Sequence, residues 1–78
     1  MAALTTALDT EFTPAVGDFI VQVTAAPANL LRKNAAGADF AVVQALAAGS
    51  AVVVSNPVAG AVYMFTALVG TPSVRADQ

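Results

Sequence analysis

Residues 40–74 contain no charged side chain, and this uncharged run constrains the fold more than any other feature of the chain. Glycine or proline interrupts the run at Gly49, Pro57, Gly60, Gly70 and Pro72. The uninterrupted pieces are far shorter than the ~20 consecutive apolar residues of a membrane-spanning helix. Breaks exposed to lipid would also leave backbone groups without hydrogen-bond partners. The run therefore predicts several short strands, uncharged because most of their surface is covered.

The size and composition of the chain predict that it needs help to stay folded. It has 78 residues, of which 58% are hydrophobic, but 19 of those hydrophobic residues are alanines, which bury little area. Without cysteine there is no disulfide to staple the fold, and without histidine we expect no metal site and no other cofactor. Binding to a partner would stabilise the folded state by mass action, so we expect a single small domain that works within an assembly.

The charge balance argues against several classes of partner. The net charge is −2, and the only cations are Arg32, Lys33 and Arg75. Nucleic acids and anionic membrane surfaces are bound by clusters of cations, so we expect neither as a partner. Residues 1–12 have no basic segment followed by an apolar one, so no secretory signal is expected.

Residues 1–16 differ in composition from the rest and are predicted to form an N-terminal arm, with residues 17–78 as one β domain. Leu4, Leu8 and Phe12 are spaced four apart, which suits one stripe of a short helix. Pro14 and the threonines disfavour that helix, so an extended arm lying on a neighbouring molecule is the alternative. In either form, the three apolar side chains are predicted partner contacts.

Residues 17–78 show the pattern of an all-β fold. Alternating or β-branched segments are separated by turn residues, which indicates a small antiparallel sandwich or barrel of about six short strands. The predicted strands are 19–24, 29–33, 40–46, 51–54, 61–69 and 73–76. A helix over 38–48 is the competing interpretation, because alanine and leucine favour it there. Strand 61–69 is apolar on both faces, as in a strand covered on two sides.

The chain offers little for chemistry. Acid–base catalysis would have to use carboxylates, and Asp9 and Glu11 form the closest pair in the sequence. This pair is equally explained as two solvated acids on an arm. The glycines form no phosphate-binding motif, and no base accompanies the hydroxyl groups. We therefore expect no enzymatic activity, no catalytic residue and no small-molecule substrate. Arg32, Lys33 and Arg75 are predicted either to pair with a partner surface or to be solvated.

Two segments carry a resemblance to a known class of proteins. They are residues 56–63 (Asn-Pro-Val-Ala-Gly-Ala-Val-Tyr) and residues 74–78 (Val-Arg-Ala-Asp-Gln), within a short, cysteine-free chain rich in Ala, Val, Gly and Thr. In its size, its composition and these two segments, the chain resembles small virion proteins of tailed bacteriophages, and most of all capsid decoration, or cement, proteins. The resemblance implies a β-sandwich or barrel, made in the host cytoplasm and located on the capsid surface of the virion. It also implies that the partner is the major capsid protein, copies of the chain itself, or both.

The expected function is thus to decorate and stabilise a bacteriophage capsid. One alternative is a component of the phage tail or fibre. Another is a small carbohydrate- or surface-binding module, for which Tyr63 would have to be exposed as an aromatic platform.

Overall fold

The computed structural model of the chain describes residues 2–34 and 39–78, which form an all-β sandwich of two antiparallel sheets. Its seven strands are β1 (Ala3–Thr5), β2 (Gly17–Thr24), β3 (Ala28–Lys33), β4 (Ala41–Leu46), β5 (Ser50–Asn56), β6 (Val62–Ala67) and β7 (Ser73–Asp77). The predicted all-β class is confirmed, and β2 to β7 correspond to the six predicted strands. The helix over 38–48 is wrong for the described residues of that stretch, which hold β4. Residues 34–37, which the pattern Asn-Ala-Ala-Gly predicts to be a turn, lie outside the described residues apart from Asn34.

The two sheets differ in how far their strands are separated in sequence. The four-stranded sheet has the order β1-β7-β2-β5, so the C-terminal strand lies between the two strands nearest the N-terminus. The three-stranded sheet has the order β4-β3-β6. The chain crosses between the sheets four times: the crossings after β2, β4 and β6 lie at one end of the sandwich, and the crossing after β5 lies at the other.

The core forms where the inward residues of both sheets meet. In β2, Phe19, Val21 and Val23 are buried and their neighbours are exposed, as the alternation predicts. From the opposite sheet, Tyr63 and Phe65 are each 0% exposed. The rings of Phe19 and Tyr63 meet edge to face with their centroids 5.0 Å apart, a favoured aromatic geometry.

The N-terminal segment packs on its own domain. Phe12 is 6% exposed, and its ring stacks on those of Tyr63 and Phe65 at 5.9 and 5.7 Å between centroids. The backbone N–H groups of Phe12 and Tyr63 donate to each other's carbonyl groups at 2.9 and 2.8 Å, which covers the outer edge of β6. Leu4 and Leu8 are half-buried against the same core. Of the two predicted conformations, the helix is wrong, since no described residue of 2–16 is helical; the segment consists of β1, a turn at Leu8 and Asp9, and an extended stretch that bridges to β6 at Phe12.

One buried polar cluster fastens this segment to the turn between β5 and β6. Asn56 is 0% exposed, and its side-chain Nδ2 donates to the carbonyl oxygens of Pro14 and Ala15 at 3.2 and 3.1 Å. The Tyr63 hydroxyl donates to Asn56 Oδ1 at 3.2 Å. Each of these buried polar groups has a partner, which is the condition under which burying them is tolerated.

The strands of the uncharged run are less covered than the sequence predicts. In β4 all residues except Leu46 are exposed; β4 is an edge strand, and Val43 forms a bulge between the pairs Leu31–Val42 and Leu30–Gln44. The outward face of β6 is half-buried, and β6 ends at Ala67 because β3, its hydrogen-bonded neighbour, begins opposite that residue at Ala28. The predicted continuation to Val69 is therefore wrong.

Candidate interaction surface

One end of the sandwich, where the crossings after β2, β4 and β6 lie, has connections without a charged residue. Its connections are residues 25–27, 47–49 and 68–72, and none of the eight charged residues lies in them. Thr71 is the only residue of these connections with a polar side chain. We call residues 25–27, 47–49 and 68–72 the uncharged end.

The charged residues lie elsewhere on the molecule. Most are at or beyond the strand termini of the opposite end: Asp18, Arg32, Lys33, Asp39 and Asp77. Glu11 lies in the same region, because its Oε2 is 3.6 Å from Lys33 Nζ. Asp9 and Arg75 lie between the two ends: the N–H of Asp9 donates to the carbonyl of Phe65, two residues before β6 ends, and Arg75 pairs with Gln22 in the four-stranded sheet. The connections at one end are therefore uncharged, and most charged residues lie toward the other end.

Short connections and backbone hydrogen bonds hold the uncharged end in shape. The N–H of Ala26 donates to the carbonyl of Thr24 at 2.9 Å, closing a three-residue turn in which Ala25 has a φ of 72°. The N–H of Leu68 donates to the carbonyl of Pro27 at 3.2 Å, and the N–H of Gly49 donates to that of Val23 at 2.8 Å. These bonds tie the three connections to one another or to the strands behind them.

The most prominent side chains of this end are apolar. Leu68 is 54% exposed and Val69 is 62% exposed, next to each other in the connection between β6 and β7. Ala25, Ala47 and Ala48 are exposed beside them in the other two connections. Such a surface can bury apolar area against a protein without desolvating any charge.

Two edge strands extend the uncharged surface along one side of the sandwich. β4 and β5 are consecutive in the chain, yet each is the edge of a different sheet. Val42 in β4 and Val53 in β5 are 56% and 63% exposed. Only residues 47–49 separate the two strands, so the end of β4 and the start of β5 lie close together.

The structure separates the predicted partner contacts into two groups. Of the apolar three, Phe12 is in the core, so its ring is not available to a partner, and Leu4 and Leu8 are half-buried against that core. The physical reason is that the chain turns at Leu8 and Asp9, so that Leu4 lies in the four-stranded sheet and Phe12 beside the three-stranded one, and both pack on the core between them. These three residues are not brought together with the cations at any exposed surface.

The cations are mostly engaged within the chain. Lys33 Nζ lies 3.6 Å from Glu11 Oε2 and 4.7 Å from the centre of the Phe40 ring, with its side chain 13% exposed. Arg75 Nε donates to both carboxylate oxygens of Asp77, at 3.0 and 2.8 Å. This hydrogen-bonded pair raises the pKa of Arg75 and lowers the pKa of Asp77 below its ordinary range. Arg32 is half-buried in β3.

The described residues contain neither a cluster of three potential metal-ligating side chains nor a detectable pocket. Within residues 2–34 and 39–78, no helix has the length and apolarity needed to cross a membrane.

The uncharged end was not predicted from the sequence. The available signal was that three separate turns lacked charge, but their meeting at one end depends on the sheet topology.

No family model, curated protein or solved structure matches this chain.

Proposed function

We propose that this chain is a structural protein of a bacteriophage particle that decorates and stabilises the capsid by binding the lattice of the major capsid protein. The observation that carries the proposal is the uncharged end, with Leu68 and Val69 exposed at its surface. In this proposal the uncharged end contacts the capsid, and the opposite end, which carries most of the charged residues, faces solvent.

The chemistry of the uncharged end suits a permanent protein contact. A charged group taken out of water at an interface costs free energy unless it is paired, and none of the three connections would bring one. Because the connections are short and hydrogen-bonded, little conformational entropy is lost when a partner covers them. The choice of the major capsid protein as partner comes from the resemblance to capsid decoration proteins. The small, alanine-rich core is a second argument, because binding to a partner would stabilise the folded state of such a chain.

Copy number in purified virions tests the proposal directly. Virions would be isolated from the lysate of a culture that produces the chain, and the chain would be quantified against the major capsid protein by mass spectrometry. We expect copy numbers of the same order as those of the capsid protein. Absence from the particle contradicts the proposal, and a small fraction of the capsid count favours the tail or fibre alternative.

A matched pair of variants tests the surface. Val69→Asp places a carboxylate at the uncharged end, whereas Val16→Asp places one at a residue of similar exposure, 58%, just before β2 at the opposite end. Binding of each labelled variant to particles stripped of the chain would be measured. We expect Val69→Asp to weaken binding at least ~10-fold, because the carboxylate would be desolvated without a partner, and Val16→Asp to bind normally. Equal binding by both variants would show that another surface is used.

The carbohydrate-binding alternative loses the residue on which it depended. Tyr63 is 0% exposed and its hydroxyl is bonded to Asn56, so it forms no aromatic platform. No other observation on the described residues favours that function.

A further inference from the structure

The edge of β5 differs from the other three sheet edges, because nothing described in the structure blocks it. Natural sheets protect their edges by shortness, bulges, charged or proline residues, or a covering segment. β1 has only three residues, β4 is bulged, and β6 is covered by the backbone of Phe12. β5 spans seven residues, pairs regularly with β2, and contains neither charge nor proline.

The sequence of β5 is complementary to itself. It reads Ser-Ala-Val-Val-Val-Ser-Asn, which is nearly palindromic by residue type around Val53. If two copies pair antiparallel about a two-fold axis through Val53, Val52 meets Val54 of the second copy and Ala51 meets Ser55. The polar ends, Ser50 and Asn56, meet each other. β-branched residues opposite one another stabilise a strand pair, and no like charges face each other in this arrangement.

We propose that β5 pairs with β5 of a second copy of this chain, antiparallel and centred on Val53, to join the two four-stranded sheets into one continuous sheet. The contact is isologous, because the same strand is used by both copies. It supplies hydrogen-bond partners for the outward backbone groups of β5 and covers Val53, which is 63% exposed in the single chain. This pairing is a contact between copies and does not rest on the proposed contact with a capsid.

The alternative edge, β4, does not fit a second copy in the same way. Centring two β4 strands on each other places Val43 opposite Gln44 and Ala41 opposite Leu46, so unlike residues meet along the pair. The bulge at Val43 also interrupts the regular ladder that a new strand would extend. β4 therefore provides a matched control for β5.

Single cysteines test the register, because the natural chain has none. In the proposed pair, the Cα atoms of the two Val53 residues are ~4.5–5.5 Å apart, within the ~4.4–6.8 Å range of disulfides. Purified Val53→Cys should therefore form a covalent dimer on mild oxidation. Ala51→Cys should not, although it lies on the same exposed face, because its two copies would be offset by four residues, ~13 Å.

A mixture of Ala51→Cys and Ser55→Cys should instead give the mixed dimer, since these two residues face each other across the axis. Equal crosslinking of Val53→Cys and Ala51→Cys alone would show association without this register and would overturn the proposal. No crosslinking of Val53→Cys would overturn it as well.

Charge substitution tests the same interface without oxidation. Sedimentation velocity over a concentration series should show the wild-type chain approaching twice the 7.8 kDa mass of one chain. Val53→Lys should remain monomeric, because two like charges would face each other, whereas Val42→Lys, at a similarly exposed valine of β4, should dimerise as the wild type does. A wild-type chain that stays monomeric throughout, or loss of the dimer only in Val42→Lys, refutes the pairing through β5.

Discussion

Replacing Phe12 with alanine tests whether the N-terminal segment is part of the domain or an appendage to it. Phe12 is 6% exposed and its ring lies 5.7–6.0 Å, centroid to centroid, from the rings of Phe19, Tyr63 and Phe65. Removing a buried phenylalanine side chain costs about 3–5 kcal/mol, since transfer free energy is lost and a cavity remains. A domain of this length is stable by only about 4–12 kcal/mol. The substitution should therefore remove at least a quarter of the stability.

The expected effect is large in a simple assay. With an unfolding entropy of ~2.1 cal/mol/K per residue, a loss of 3–5 kcal/mol lowers the thermal midpoint by roughly 18–30 °C. Circular dichroism during heating and in urea would measure it. Val16→Ala is the control, because Val16 belongs to the same segment but is 58% exposed, and it should change stability by less than about 0.5 kcal/mol. If Phe12→Ala were as stable as this control, the aromatic cluster would not hold the segment, and the arm would be an appendage.

Three smaller perturbations test other parts of the fold. Tyr63→Phe leaves Asn56 Oδ1 buried without its donor and should cost about 1–3 kcal/mol in urea unfolding; an unchanged midpoint would mean that another donor satisfies this oxygen. Asp77→Asn tests the pair with Arg75. Because the pair lowers the pKa of Asp77 from 3.8, its stabilisation is present above that pH and is lost as pH falls through the lower folded value. The variant should therefore lose less stability than the wild type on acidification below pH 3.8, and parallel acid-unfolding curves would contradict this. Ala25→Gly should raise the unfolding free energy by about 1 kcal/mol, since glycine adopts a φ of 72° without strain; a destabilised variant in the same urea assay would show that the turn is not strained.

The strands themselves were predictable because side-chain alternation and turn residues are local signals. β2 shows this most clearly: Phe19, Val21 and Val23 were placed on one face by period alone, and all three are buried. The rejection of a membrane span followed from the positions of glycine and proline. Ser55, Pro57 and Gly60 also predicted a turn between strands 51–54 and 61–69, although nothing in the sequence indicated that Asn56 and Tyr63 bond to each other across that turn.

The site was less predictable, because it depends on which strands become neighbours. A spacing of four fits both a helical stripe and one face of an extended chain, so Leu4, Leu8 and Phe12 could not be assigned to a core or a partner from their positions. The uncharged end consists of three connections far apart in sequence, which only the two-sheet topology brings together. Whether an edge strand is protected likewise depends on pairing, as the different surroundings of β4 and β5 show.

The position of β7 between β1 and β2 has a consequence for the order in which the protein can fold. Ala3 pairs with Asp77, and β2 pairs with β7 along most of its length. During synthesis, β1 and β2 emerge first but must wait for β7 before the four-stranded sheet can close. Contacts so distant in sequence slow folding, because the loop between them must be closed before any pairing is gained. A nascent chain that lacks β7 should therefore stay without this sheet until β7 has left the ribosome, and a ribosome-bound series of increasing length should acquire protease resistance only when residue 77 is free of the ribosome.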